Sequence, residues 1–205
     1  MENDSILQSD CANYSAIRDQ LADGDILLAS GSYSFSKLIQ LGTDSPWSHC
    51  AFILRLPSID RVVVLESVED AGIRAVPLSG YLGDYEGSKE PYGGKIAIAR
   101  HELAYPKLQA NAVALKSITS FAFDLLSHPY AKDDIINIGA RIAASKIGVT
   151  PSTEIKPKPG VYICSEFLDA CYQHIGVAIQ WDRLGFIAPS DVAYDPNVKA
   201  LYRLL

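Results

Sequence analysis

Val161-Tyr162-Ile163-Cys164-Ser165-Glu166-Phe167-Leu168 follows the run Lys156-Pro157-Lys158-Pro159-Gly160. The prolines and the glycine cannot extend a helix. Beyond them Cys164, Phe167, Leu168, Cys171, Tyr172 and Ile175 recur at helical spacing on one apolar face. The spacing predicts a helix from Cys164 to about His174, with Cys164 in its first turn. A helix N-terminus carries partial positive charge, and thiol pKa values there fall from about 8.5 to roughly 3.5–7.5. Cys164 is therefore a candidate nucleophile. The same pattern also suits two thiols packed inward, because cysteine is among the most often buried residues and Cys171 shares the face. The rest of the chain has to decide between the two.

The chain has 205 residues, 48% of them hydrophobic and 20% charged, which suits one globular domain spanning residues 1–205. A net charge of −6 disfavours nucleic acid or an anionic membrane as partner. Cys11, Cys50, Cys164 and Cys171 are too few for a disulfide scaffold in a chain of this size and read as free thiols. Met1-Glu2-Asn3-Asp4 is acidic and precedes no signal-like apolar core, and no stretch approaches the roughly 20 apolar residues of a membrane span. These features predict a protein of the reducing cytoplasm without integral membrane association. The four histidines and four cysteines show no zinc spacing, so neither a metal nor another cofactor is expected.

Outward from the Cys164 helix the pattern divides. Residues 5 to 21 suit a short amphipathic helix. Ile26-Leu27-Leu28-Ala29 is an apolar run of strand length after the Asp23-Gly24-Asp25 turn. Ser34 is positioned to cap a helix through Leu41 with Phe35, Leu38 and Ile39 inward. Further strands are predicted at Cys50 to Leu54, with His49 at the start, at Arg61 to Ser67, at Ile73 to Val76 and at Lys95 to Arg100. The turns between them leave no room for crossover helices, so the β-rich half, about 23–100, predicts an antiparallel meander. From Pro106 the period becomes helical: one face runs to about Leu126, and a second helix starts at Asp133-Asp134 and runs through Ile135, Ile138, Ile142 and Ile147. Gly148 to Gly160 reads as a loop, and Ala200 to Leu204 as a returning edge strand. A strand-rich half followed by a helix-rich half, about 106–175, indicates α+β.

Thiol catalysis needs a base for the sulfur proton and a third group that fixes the tautomer of that base. His49, at the start of a buried strand, has a fixed backbone. Glu66, after four apolar residues, needs a partner if it lies inside, and an imidazole would serve. Each also has a structural reading, His49 as a hydrogen-bonded strand-edge residue and Glu66 as the point where its strand meets solvent. His101, His128 and His174 are rival bases. His174 would lie about 15 Å along the helix from Cys164, too far to act on it.

In order, Asp25-Ile26-Leu27-Leu28, Ser48-His49-Cys50-Ala51, Leu65-Glu66-Ser67, Pro129-Tyr130 and Tyr162-Ile163-Cys164-Ser165-Glu166-Phe167 resemble the circularly permuted branch of the NlpC-type papain-like cysteine hydrolases. The resemblance spans roughly residues 23 to 170. Glu166 stands where ordinary members carry glycine, and the link from Tyr130 to Cys164 is longer than usual. The resemblance implies a permuted papain-like fold, a small antiparallel sheet or barrel packed against helices. It implies Cys164 as nucleophile, His49 as base, Glu66 as the third residue, and Tyr130 lining the site near the oxyanion hole. The activity it implies is hydrolysis of an amide in a small peptide or a γ-glutamyl- or lysyl-type amide. Related permuted proteins of the lecithin:retinol acyltransferase-like group act on lipid acyl groups, and a binding module on the same fold is a third reading. The segments Ser30 to Ser36 and Gly80 to Gly94 are placed to shape the pocket, with Tyr81, Tyr85 and Tyr92 read as ordinary surface or core aromatics.

Overall fold

The computed structural model describes residues 5–8, 11–131, 137–141, 144, 148, 160–181 and 185–205. Six strands form one antiparallel sheet: β1 (Asp25–Gly31), β2 (His49–Leu56), β3 (Arg61–Val68), β4 (Gly72–Pro77), β5 (Gly94–His101) and β6 (Val198–Arg203). Their order is β4-β3-β2-β1-β5-β6. The first four make a meander, β5 returns to the free side of β1, and β6 closes that edge. The sheet is open, with β4 and β6 at its margins, and the fold is α+β.

The apolar runs lack strict alternation because both faces of the sheet are covered. Ile26, Leu28, Cys50, Phe52 and Leu65 face one core layer, and Leu27, Ala29, Ala51, Ile53 and Val64 face the other. Helices α1 (Ser34–Thr43), α2 (Leu78–Gly83), α3 (Ala104–Ala110), α4 (Ala112–Asp124), α5 (Cys164–Gln173) and α6 (Pro189–Tyr194) complete the framework. Phe167, Leu168, Cys171 and Tyr172 of α5 share the first core layer with Ile118 and Ala122 of α4. Leu78 and Tyr81 of α2 help cover the other face.

Several local expectations change. Residues 5 to 21 do not form one helix. Single helical turns at Ser5–Gln8 and Tyr14–Ile17 are separated by a stretch in which Cys11 bridges to Arg203, and Asn13 caps the second turn. In α1 the N-cap is Tyr33 rather than Ser34. Ile39 and Gln40 are its buried residues, while Leu38 is 42% exposed, because α1 docks on β1 through the Gln40 side chain, which donates to the Gly31 carbonyl at 3.0 Å. The expected helix from Pro106 to Leu126 is two, broken at Asn111, whose side chain accepts from the Val113 N–H at 2.9 Å and starts α4. Of the helix expected from Asp133 to Ile147, residues 137–141 are helical and most of the rest lies outside the described residues, as does most of the Gly148 to Gly160 loop.

Candidate active site

Strand register brings the site together. β2 pairs with β3 only from Phe52↔Leu65 to Leu56↔Arg61, whereas β3 stays paired with β4 as far as Val68↔Gly72. The segment leading into α5 lies where β3 leaves β2: the Ser67 hydroxyl donates to the Tyr162 carbonyl at 2.8 Å. Tyr162 also bridges Tyr130. Tyr130 is held in turn by the 127–128 segment, whose His128 carbonyl accepts from the Ile73 N–H at 2.9 Å. Gly72, at φ +68°, makes that approach possible, since a Cβ there would come within 2.0 Å of the His128 oxygen.

Cys164 is the first residue of α5 and is 5% exposed. Its helix is anchored at both sides of that residue. The Glu166 carboxylate reaches back to accept the Ile163 N–H at 3.1 Å, which gives this side chain a capping role where a glycine would have none. The Ser165 hydroxyl donates to the Ile187 carbonyl at 2.7 Å. His49 opens β2 and is fixed by its neighbour: the Ser48 N–H bonds the Ala29 carbonyl at 2.9 Å, and the Ser48 hydroxyl accepts from the Gly31 N–H at 3.0 Å.

His49 Nε2 lies 2.6 Å from Glu66 Oε2, which leaves Nδ1 to meet the Cys164 sulfur. Glu66 is fully buried and has three partners: His49, the Tyr81 hydroxyl at 2.5 Å on the same oxygen, and Arg74 Nε at 2.8 Å on the other. Arg74 faces Glu66 directly across the β3–β4 ladder and continues to Glu86 at 2.9 Å. The buried carboxylate is thereby satisfied and oriented, as burial of a charge demands.

The electrostatics follow from these contacts. The Cys164 thiol is pulled well below its ordinary value by hydrogen bonding from Cys50, against the effect of burial, with His49 adding a hydrogen bond and its charge. Burial alone would pull His49 down, but its interactions with Cys164 and Glu66 push it up to about 10. Both shifts favour a pair of thiolate and imidazolium. Burial would raise the Glu66 carboxyl, but His49 and Arg74 hold it below the usual range. The Tyr130 hydroxyl, 9% exposed, is raised by burial and then by the Cys164 charge, so it lies within electrostatic reach of the sulfur.

All four residues singled out in the sequence thus converge, while the rival histidines lie elsewhere. His101 is buried near Asp195, His128 Nδ1 contacts the Gly160 carbonyl at 3.1 Å, and His174 stacks on Phe121 with ring centroids 4.2 Å apart. Cys50 as a partner of Cys164, and Arg74 and Tyr81 as partners of Glu66, were not foreseen from the sequence. The signal for Arg74 was a lone cation in an otherwise apolar strand one hairpin from Glu66. Tyr81, Tyr85 and Tyr92 are packed in one cluster, with centroids 4.9 to 5.6 Å apart, and exposed Tyr33 sits edge-on to Tyr92 at 6.3 Å. Among the described residues no group of three or more His, Cys, Asp or Glu side chains is arranged to hold a metal ion, and no helix is long and apolar enough to cross a membrane.

No protein-family model matches the chain, and no curated protein matches it in sequence. Among solved structures it is similar to the crystal structure of the metalloprotein yiiX from Escherichia coli O157:H7, DUF1105, with a TM-score of 0.61 and 18% identity, covering 90% of this chain and 98% of that one. At that identity the likeness is one of fold.

Proposed function

We propose that the chain is a thiol-dependent hydrolase of the permuted papain-like type that cleaves an amide through an acyl-enzyme. The observation that carries this reading is His49 held between the buried Glu66 carboxylate and the Cys164 sulfur at a helix N-terminus. In the proposed mechanism the Cys164 thiolate attacks the substrate carbonyl. The developing oxyanion is received by the Cys164 N–H, unpaired within the helix as a first-turn donor, and by the Tyr130 hydroxyl. Imidazolium His49 gives its proton to the departing amine, then takes one from water as it attacks the thioester, and Cys164 leaves as thiolate. Glu66, with Arg74 and Tyr81 behind it, keeps His49 in one tautomer and orientation.

The substrate we favour is a small peptide or a γ-glutamyl- or lysyl-type amide. A lipid acyl substrate would need an apolar channel at the His49 end of β2. The apolar groove lined by Leu54, Leu56, Leu115 and Phe123, about 500 Å³, lies at the opposite end of that strand. Among the described residues no cluster of His, Cys, Asp or Glu side chains fits a metal such as the one named for the yiiX protein. Four free thiols, two of them at the site, support a reducing compartment such as the cytoplasm.

Alkylation with iodoacetamide across pH, followed by peptide mapping, tests the reading. Cys164 is expected to react well below the pH at which a free thiol does, ahead of Cys11, Cys50 and Cys171, and His49→Ala is expected to reduce that advantage measurably; reactivity unchanged by His49→Ala would count against the reading. An unreactive Cys164 would leave a binding module on the same fold. Turnover of amide and acyl-ester panels then separates amidase from acyl-transfer chemistry.

A further inference from the structure

Cys50 is placed as no other cysteine is. It lies on β2 beside His49 at the point where β3 has left β2, has no exposed surface, packs in the core layer of α5 with Phe167 and Leu168, and is the leading influence that lowers the Cys164 thiol. Cys171 is on the same helix as Cys164 but two turns away, about 10 Å along the axis, and Cys11 is exposed beside β6. A buried thiol that close in its influence on a reactive thiolate is placed to act as its resolving group.

We propose that Cys50 and Cys164 are a peroxide-sensitive modification site, in which hydrogen peroxide converts the pair to a reversible disulfide. The inference rests on Cys164 being a reactive thiolate, as in the function proposed above, but not on amide hydrolysis. In the first step the Cys164 thiolate attacks the peroxide. The S–O bond forms, the O–O bond breaks, and His49 supplies the proton that lets the second oxygen leave as water. Cys164 has then lost two electrons and the peroxide has gained them. In the second step the Cys50 sulfur attacks the sulfenyl sulfur while neutral His49 accepts the Cys50 proton and passes it to the leaving hydroxide. The S–S bond forms, the S–O bond breaks, and a second water departs. A thiol reductant restores both sulfurs. The pair thereby stops oxidation at a recoverable level, because sulfinic acid, the next product for an unpartnered Cys164, is not reversed by thiols.

The test uses the full chain, reduced and then treated with hydrogen peroxide near neutral pH. Free thiols are capped and peptides mapped without reduction. The expected product links the peptides of Cys50 and Cys164, and dithiothreitol restores alkylation of Cys164. In Cys50→Ser, with folding checked by circular dichroism, the thiol-recoverable fraction of Cys164 is expected to fall to about a tenth or less, with sulfinic acid accumulating. A reactive Cys164 that overoxidises in the wild-type chain while Cys50 stays a free thiol, or that links to Cys11 or Cys171, overturns the disulfide and leaves the hydrolase reading intact. A Cys164 inert to both peroxide and iodoacetamide overturns both.

Discussion

Nε2 of His49 sits 2.6 Å from an oxygen of Glu66, a carboxylate with no exposed surface whose other oxygen is held by Arg74. The pair fixes which imidazole nitrogen is free for Cys164, so the tautomer is built into the sheet. Glu66→Gln preserves shape but removes the charge. It is expected to lower kcat/KM by about 10²–10⁴-fold and to move the alkylation profile of Cys164 to higher pH. It should also destabilise the fold, by up to about 3 kcal/mol, since Arg74 loses its buried partner and keeps only the exposed Glu86. Alkylation kinetics and urea unfolding measure the two effects separately. An unchanged profile in a folded variant would remove Glu66 from the mechanism.

Tyr130 and Cys164 differ in kind, and their variants should differ in size. Loss of one oxyanion donor costs about 10²–10³ in rate, so Tyr130→Phe is expected to retain measurable turnover, with kcat affected more than KM. Cys164→Ala should retain none by the acyl-enzyme route. Equal losses in the two would reassign Tyr130.

The pH profile follows from the ion pair. The proposed mechanism requires Cys164 unprotonated and His49 protonated. As pH falls, activity is lost only when the thiolate, held well below its ordinary value, takes up its proton. As pH rises, it is lost as His49 deprotonates at about 10. A broad plateau of kcat/KM bounded on the alkaline side near 10 is expected. Cys50→Ala, which removes the leading hydrogen bond to the thiolate, should shift the acid limb upward while leaving the alkaline limb nearer its place.

The elements that hold the site were readable wherever the cause was local. The apolar runs at Ile26 and Cys50 announce strands buried on both faces, and the break at Gly160 announces the start of a helix at Cys164. Glu66 was readable because a carboxylate after four apolar residues needs a partner. Arg74 and Tyr81 were not, because their roles depend on the β3–β4 register and on how α2 folds back over it. Cys50 looked like a core thiol, and it is one; only the docking of α5 against the parted strands makes it a neighbour of Cys164. Leu38 misled because α1 is held to β1 by the polar side chain of Gln40 rather than by an apolar stripe.

His101 offers a stability prediction independent of catalysis. Its Nδ1 accepts the N–H groups of Leu103 at 3.2 Å and Ala104 at 3.4 Å, and its Nε2 stands 4.0 Å from Asp195. Burial pushes its pKa down, more strongly than the charges of Asp195 and Glu102 push it up. The folded chain therefore resists protonation that the unfolded chain accepts as pH falls through about 6.5. Stability attributable to this residue is present above that pH and lost below it, at up to about 1.4 kcal/mol per pH unit. His101→Asn, which keeps an acceptor for the two N–H groups, should flatten urea midpoints between pH 7 and 5 relative to the wild-type chain. Parallel curves would count against the assignment.

The parting of β2 from β3 beyond Phe52 has a kinetic corollary. The meander can form from neighbouring hairpins, but the gap at its end is filled only by a segment from far along the chain, after α4 and the residues beyond it have been made. Until α5 docks there, Cys164 has neither the imidazole nor the second thiol beside it and should behave as an ordinary cysteine. During refolding, the rise in its alkylation rate would therefore time this long-range docking step, making the Cys164 thiol a clock for assembly of the site.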